Sequence, residues 1–257
     1  MPRRVHSGEQ NPVREPLWQD LQRHVAAAVV LAALGALLFA AVLELGSAYL
    51  AAVALALAAG ASLLLGLRDA FGESHPHPAF GAANRVTLAR AAGVSLLAGL
   101  AFEPQTELRA WGAVALATLA AVLDSVDGRL ARRSGLESRF GARFDMETDA
   151  LMILVLAALA WRWERAGAWV LLAGLMRYGF VLAGARWPWL AGELPPSRRR
   201  QTVCVVQVVG LIVALVPWWS SAQAAAVAAL SLAALCYSFA ADVLWLARRR
   251  SREGFVT

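Results

Sequence analysis

The sequence predicts an all-α integral membrane protein of about eight transmembrane helices, and three observations carry that prediction. Of 257 residues, 59% are apolar, and the mean hydropathy is +0.56. The apolar residues gather into runs near the ~20 needed to cross a ~30 Å hydrocarbon core. The charge is asymmetric along the chain. The net +6 comes from arginine with no lysine, and these arginines concentrate in alternate loops, the pattern that positive-inside topology produces. A basic total can mark a nucleic-acid binder, but arginines confined to loops fit topology better, and no nucleic-acid partner is expected.

Hydropathy places spans at 25–43, 48–67, 85–102, 109–128, 144–161, 167–185, 203–218 and 222–246. Residues 1–24 are polar and rich in Arg and Pro, and read as a cytoplasmic N-terminal segment. The apolar run after them is too long for a signal-peptide core, so an uncleaved helix is expected. Residues 25–67 form two accessory transmembrane helices. Their Ala and Gly content permits close helix packing, including a homodimer contact. Residues 68–83 form a connecting loop. Its His75-Pro76-His77-Pro78 stretch reads as plain loop, because a proline-broken segment without further ligands makes a poor metal site. A six-helix core follows over 84–247, then a basic cytoplasmic tail over 248–257.

Loops carrying Arg3, Arg4, Arg14, Arg23, Arg68, the arginines from 129 to 143, Arg186, Arg198 to Arg200, and Arg248, Arg249, Arg250 and Arg252 are assigned to the cytoplasmic side. Those carrying Arg109, Arg162 and Arg165 are assigned to the opposite side. Both termini are then cytoplasmic. Trp111, Trp161, Trp163, Trp169, Trp187, Trp189, Trp218, Trp219 and Trp245 fall near span ends, as interfacial anchors do. Cys204 and Cys236 lie inside spans and imply no disulfide framework.

Between two apolar stretches stand Asp124, Asp127, Asp145 and Asp149. A charge at bilayer depth costs roughly 2.5 to 3.5 kcal/mol, so such residues mark function and call for a partner. Separations of three and four put each pair on one helix face. On adjacent antiparallel helices all four carboxylates converge, offering hard oxygen ligands suited to Mg²⁺, Mn²⁺ or Ca²⁺. Gly128, Ala131 and Gly141 leave room for a ligand beside them. Gly128 would otherwise cost its helix about 1 kcal/mol relative to Ala.

Residues 124 to 149 read Asp-x2-Asp-Gly-x2-Ala-Arg-x8-Gly-x3-Asp-x3-Asp, and this string resembles, at all eight fixed positions, the signature of the CDP-alcohol phosphotransferase family. The resemblance covers roughly residues 80 to 250 and leaves the first two helices outside. It implies a membrane enzyme that moves a substituted phosphate from a CDP-linked donor to an alcohol, releasing CMP at a site holding two Mg²⁺ or Mn²⁺ ions on Asp124, Asp127, Asp145 and Asp149. Asp149 is by resemblance also the general base. Asp127, Gly128, Ala131, Arg132 and Gly141 are expected at the CDP donor. The stretch Asn84-Arg85-Val86-Thr87-Leu88-Ala89-Arg90 is similar to the Asn-x2-Thr-x2-Arg pattern of the family's first core helix. It implies that Asn84, Thr87 and Arg90 face the site, with Arg90 on donor phosphate and Asn84 near the nucleotide.

Arg177 lies in the middle of a span, where an unpaired guanidinium is costly. With Arg186, Arg198, Arg199 and Arg200 it is expected to hold the phosphate of a phosphorylated acceptor, since guanidinium forks match phosphate. The expected activity is transfer of a phosphatidyl group from CDP-diacylglycerol to a small alcohol such as glycerol 3-phosphate or inositol phosphate, with membrane lipids as further partners. Two alternatives stand beside it. One is transfer of a CDP-linked head group to a lipid alcohol. The other is a non-catalytic cation-binding transporter or scaffold, for which Gly128 and Ala131 have no role.

Overall fold

The computed structural model describes residues 14–66, 75, 79–134, 138–192 and 194–253. Within them the chain forms eight α-helices: α1 (Arg14–Leu43), α2 (Ser47–Gly66), α3 (Ala82–Leu100), α4 (Glu107–Ser134), α5 (Arg139–Arg162), α6 (Leu172–Arg186), α7 (Arg198–Leu215) and α8 (Ser221–Glu253). Single 3-10 turns at Ala168–Leu171 and Pro188–Ala191 flank α6, and no strand occurs among the described residues. Each predicted span overlaps one helix, with ends that agree to within about six residues except at the start of α1 and the end of α8.

The ends differ from expectation for physical reasons. Helix α1 begins at Arg14, inside the segment read as polar, because Leu17, Leu21 and Val25 recur every fourth residue and bury together against Phe80 and Leu88. At the other end α8 runs on to Glu253, through residues expected to form a tail. Gly81 makes the turn into α3 at φ 85°, a left-handed value that glycine adopts without strain.

Packing divides the helices into two sets. Helix α3 packs on both α4 and α5, and α7 also packs on both, so these four close into a ring. Helices α1 and α2 lie against α3, α6 against α5, and α8 against α7. Among the described residues, four helical stretches are long and apolar enough to cross a membrane: Glu15–Leu43, Ser47–Gly66, Ala168–Arg186 and Ser221–Arg250. These are the outer elements. Helices α3 and α5 carry charged residues of the site, and α7 opens on Arg198 to Arg200. An apolar jacket thus surrounds a more polar interior, and the large exposed side chains of the jacket, such as Leu31, Leu38, Leu55, Leu63, Leu182 and Leu230, point outward.

Close approach joins the sets. A Cβ on Gly99 of α3 would lie 2.6 Å from Val53 and 2.7 Å from Tyr49 of α2, and one on Gly174 of α6 would lie 2.5 Å from the Leu154 Cα of α5. The accessory helices therefore seat directly on the core, as small-residue packing allows.

The three arginines assigned to the side away from the tail all serve helix ends. Arg109 donates to the carbonyls of Leu43 and Glu44 at the end of α1. Arg162 donates to Ala101 just past α3. Buried Arg165 donates to Ala214, Val216 and Trp219 around the end of α7. Carbonyls that lack intrahelical donors and carry the negative end of the helix dipole are thereby matched with cations. One tryptophan departs from the interfacial role: Trp163 is buried, and its indole N–H donates to Glu103 O at 3.1 Å.

Candidate active site

Inside the ring, α3, α4 and α5 bring one guanidinium to three carboxylates. Asn84, Thr87 and Arg90 recur every third residue on α3, and all three are buried. Arg90 is 1% exposed. Its Nη1 lies 2.7 Å from an Asp124 oxygen and 2.6 Å from an Asp145 oxygen, and its Nη2 meets Asp149. Ligand oxygens of Asp124, Asp145 and Asp149 all lie within 4.8 Å of one another. Helix α4 delivers the first of them. Helix α5 delivers the other two from successive turns of one face.

Among the described residues, three carboxylates against one guanidinium leave two unbalanced negative charges, equal to one divalent cation. Asp124 and Asp145 are 37% and 40% exposed and Asp149 is 25% exposed, so the cluster opens to the outside while Arg90 backs it. Hard oxygen donors converging within a few ångströms fit Mg²⁺ or Mn²⁺. The α4 backbone is helical through Asp127, Gly128, Ala131 and Arg132, but the side chains of these expected site residues lie outside the described residues.

The contacts that Arg90 makes here are with the acids. Asn84 and Thr87 turn back on their own helix start, with Asn84 Nδ2 donating to Phe80 O at 2.5 Å and Thr87 Oγ1 to Ala83 O at 3.2 Å. The space expected beside Gly141 is filled by Asn84, whose Oδ1 would lie 2.6 Å from a Cβ there.

Four of the five arginines expected to share an acceptor phosphate are met by protein groups. Arg177 pairs with Glu147 through Oε1 at 2.5 Å, and residue 147 lies across α5 from the face of Asp145 and Asp149. Arg199 and Arg200 pair with buried Asp242 of α8 at 2.5 and 3.2 Å. Arg186 lies over the Trp187 ring and Arg198 is exposed. Glu147 and Asp242 are the acids that the arginine-centred reading overlooked. Asp242 is visible in the sequence as a single acid inside a long apolar stretch.

From the acids a cavity of about 360 Å³ opens between α4 and α7. Beyond Arg90, Asp124 and Asp149 its lining is almost wholly apolar: Thr118, Ala121 and Val122 of α4, Met152 of α5, and Cys204, Val205, Val208, Val209, Ile212 and Val213 of α7. It follows α7 for nearly ten residues, or roughly 14 Å at 1.5 Å per residue. Sequence reasoning missed these lining residues because Val and Ala at such positions look like any helix interior.

Comparison with known proteins yielded no match among curated proteins and none among solved structures. A family model described as CDP-alcohol phosphatidyltransferase matches residues 80–238, from the turn before α3 to well inside α8, which leaves α1 and α2 outside. The match spans more than half of the sequence, takes in the whole acid cluster, and agrees with the complete signature between Asp124 and Asp149: the chain belongs to the CDP-alcohol phosphatidyltransferase family.

Proposed function

We propose that the protein transfers a phosphatidyl group from CDP-diacylglycerol to an alcohol and releases CMP, at a site of two Mg²⁺ or Mn²⁺ ions held by Asp124, Asp127, Asp145 and Asp149. One observation carries this reading: the carboxylate cluster stands at the mouth of an apolar cavity between α4 and α7. A substrate with a charged diphosphate and a greasy body matches both parts at once.

When bound, the ions neutralise charge on the diphosphate and on the leaving CMP. The chain's own residues do the rest. Asp149 takes the proton from the acceptor hydroxyl, whose oxygen then bonds to the lipid-linked phosphorus. The bond from that phosphorus to the bridging oxygen breaks, and CMP leaves with the electron pair. Arg90 holds the acids close together before cations arrive. Arg132 steadies a phosphate. The apolar wall of α7 receives an acyl chain and keeps water from that side of the reaction. The arginine distribution supports a cytoplasmic placement of the site and both termini.

The pairing of Arg177 with Glu147 and of Arg199 and Arg200 with Asp242 weakens the argument for a phosphorylated acceptor and favours keeping a second reading, in which a CDP-linked head group is passed to diacylglycerol. CMP release by purified protein with Mg²⁺ separates the two. The donors are CDP-diacylglycerol, tested with glycerol 3-phosphate, inositol phosphate, inositol and serine, and CDP-linked head groups tested with diacylglycerol. Asp149→Asn should abolish turnover and leave donor binding largely intact. Silence with every donor and acceptor pair would sink the enzymatic reading.

A further inference from the structure

We propose that Asp20 and His75, which both precede the matched family region, are positioning residues for the acids of α5, and that the N-terminal helices thereby tune the metal site. The inference rests on the metal-site reading above and extends it to residues outside the family core.

A closed circuit of contacts carries it. The first turn of a helix has backbone N–H groups without intrahelical acceptors. In α5, Ser138 Oγ takes one of them, from Gly141 N, at 3.0 Å. The same Ser138 oxygen lies 2.8 Å from His75 Nδ1, and His75 Nε2 lies 2.8 Å from Ala79 O. A carbonyl only accepts, so Nε2 carries the proton and Nδ1 receives the Ser138 hydroxyl. Ser138 thus donates to His75 while accepting from Gly141. His75 lies in a loop, as expected, but is 2% exposed there and meets Phe140 edge-on.

The second half of the circuit starts next door. Phe80 N donates to Asp20 Oδ2 of α1 at 2.9 Å, Phe80 O accepts from Asn84, and Asn84 Oδ1 abuts Gly141. Around these polar links Leu17, Leu21 and Val25 of α1 pack with Phe80, Leu88, Phe140 and Phe144. Gly141, Asp145 and Asp149 follow one another at four-residue spacing, one above the next on a single helix face. A clamp on Gly141 is therefore a clamp one turn below the first acid and two below the second. Converging carboxylates bind metal well only when the groups behind them fix their positions, and loss of such support typically costs 10- to 100-fold in metal affinity or activity.

The test uses the full chain purified in detergent, with Mn²⁺ alone as the probe, followed by paramagnetic resonance. Asp20→Ala and His75→Phe remove the two ends of the clamp independently, and Asp20→Asn keeps an oxygen acceptor for Phe80 N. Asp20→Ala and His75→Phe should each bind Mn²⁺ about tenfold more weakly and regain wild-type kcat at saturating metal, with backbone amides of residues 139–149 exchanging faster. Asp20→Asn should behave as wild type. Wild-type Mn²⁺ affinity in both disruptive variants overturns the proposal. So does an Asp20→Asn variant as weak as Asp20→Ala, or a kcat deficit that metal does not restore. If the wild-type protein itself bound no Mn²⁺, the metal-site reading would fall, and amide exchange would decide the clamp alone: faster exchange in both variants upholds it, and unchanged exchange ends it.

Discussion

Replacing Arg90 by Ala removes the one cation that the described cluster holds against three carboxylates. Each contact of 2.6 to 2.7 Å between Arg90 and Asp124 or Asp145 puts charge centres near 4 Å, worth about 4 kcal/mol per pair at an effective dielectric of 20. Burial of the guanidinium offsets much of this, and Asp124 and Asp145 are more than a third exposed, which screens them further. Breaking a buried pair by removing one partner costs about 3 to 5 kcal/mol, and that range is adopted for the cluster without divalent cation. At about 2 to 4 °C per kcal/mol for a chain of this size, Arg90→Ala should melt roughly 6 to 20 °C lower in EDTA. The variant also leaves three unbalanced charges where the wild type has two, so it should gain more from Mg²⁺. A ligand at a hundred times its Kd adds about 2.7 kcal/mol, and tighter binding adds more. Melting of detergent-solubilised protein, followed by tryptophan fluorescence with EDTA or Mg²⁺, reads both effects. An unchanged melting point in EDTA, or a larger Mg²⁺ effect on wild type than on Arg90→Ala, would refute the view of Arg90 as the resident counter-ion.

Val208→Trp should fill the cavity between α4 and α7 and raise KM for the lipid substrate about tenfold or more, a cost of about 1.4 kcal/mol. Mn²⁺ binding should stay unchanged, and normal lipid kinetics would remove the cavity from the substrate path. Arg165→Ala deletes three charged hydrogen bonds of 2.8 to 3.1 Å around the end of α7; about 3 kcal/mol of stability should go, while kcat below the melting range stays at the wild-type value. Gly174→Ala drives a methyl to 2.5 Å from the Leu154 backbone and should destabilise by about 1 to 3 kcal/mol. Gly60→Ala meets nothing within 4 Å and should stabilise α2 by about 0.5 to 1 kcal/mol; equal melting shifts in the two variants would contradict the packing described.

Helix positions were legible because hydropathy is additive over a span and tolerates errors of a few residues. The acids were legible because charge in an apolar setting has few explanations, and a spacing of four fixes a shared face. Partnerships were not, since they are decided between helices far apart in sequence. Arg177 carries no mark that directs it to Glu147, nor Arg199 to Asp242. Arg90 was placed at the site, but its contacts with Asp124, Asp145 and Asp149 depend on how close α4 and α5 approach α3. His75 was read as loop, where it lies, but its link to Ser138 was hidden because that partner stands 63 residues away. The start of α1 was hidden by average polarity, which conceals a four-residue repeat of only three apolar side chains.

Arg109, Arg162 and Arg165 fasten the ends of α1, α3 and α7 to their neighbours, and Arg162 lies about 20 Å along α5 from Asp149 at 1.5 Å per residue. The bundle is thus laced by arginine at the rim away from the acids, while the acid end is tied by the Arg90 cluster and by the contacts of Asp20 and His75. A parting of α4 from α7 that admits a lipid would be resisted by these arginine contacts at the end of the bundle away from the acids. Slack in the lacing would be carried by the helices between to Asp124 and Asp149, so three arginines far from the reaction share in aligning its carboxylates.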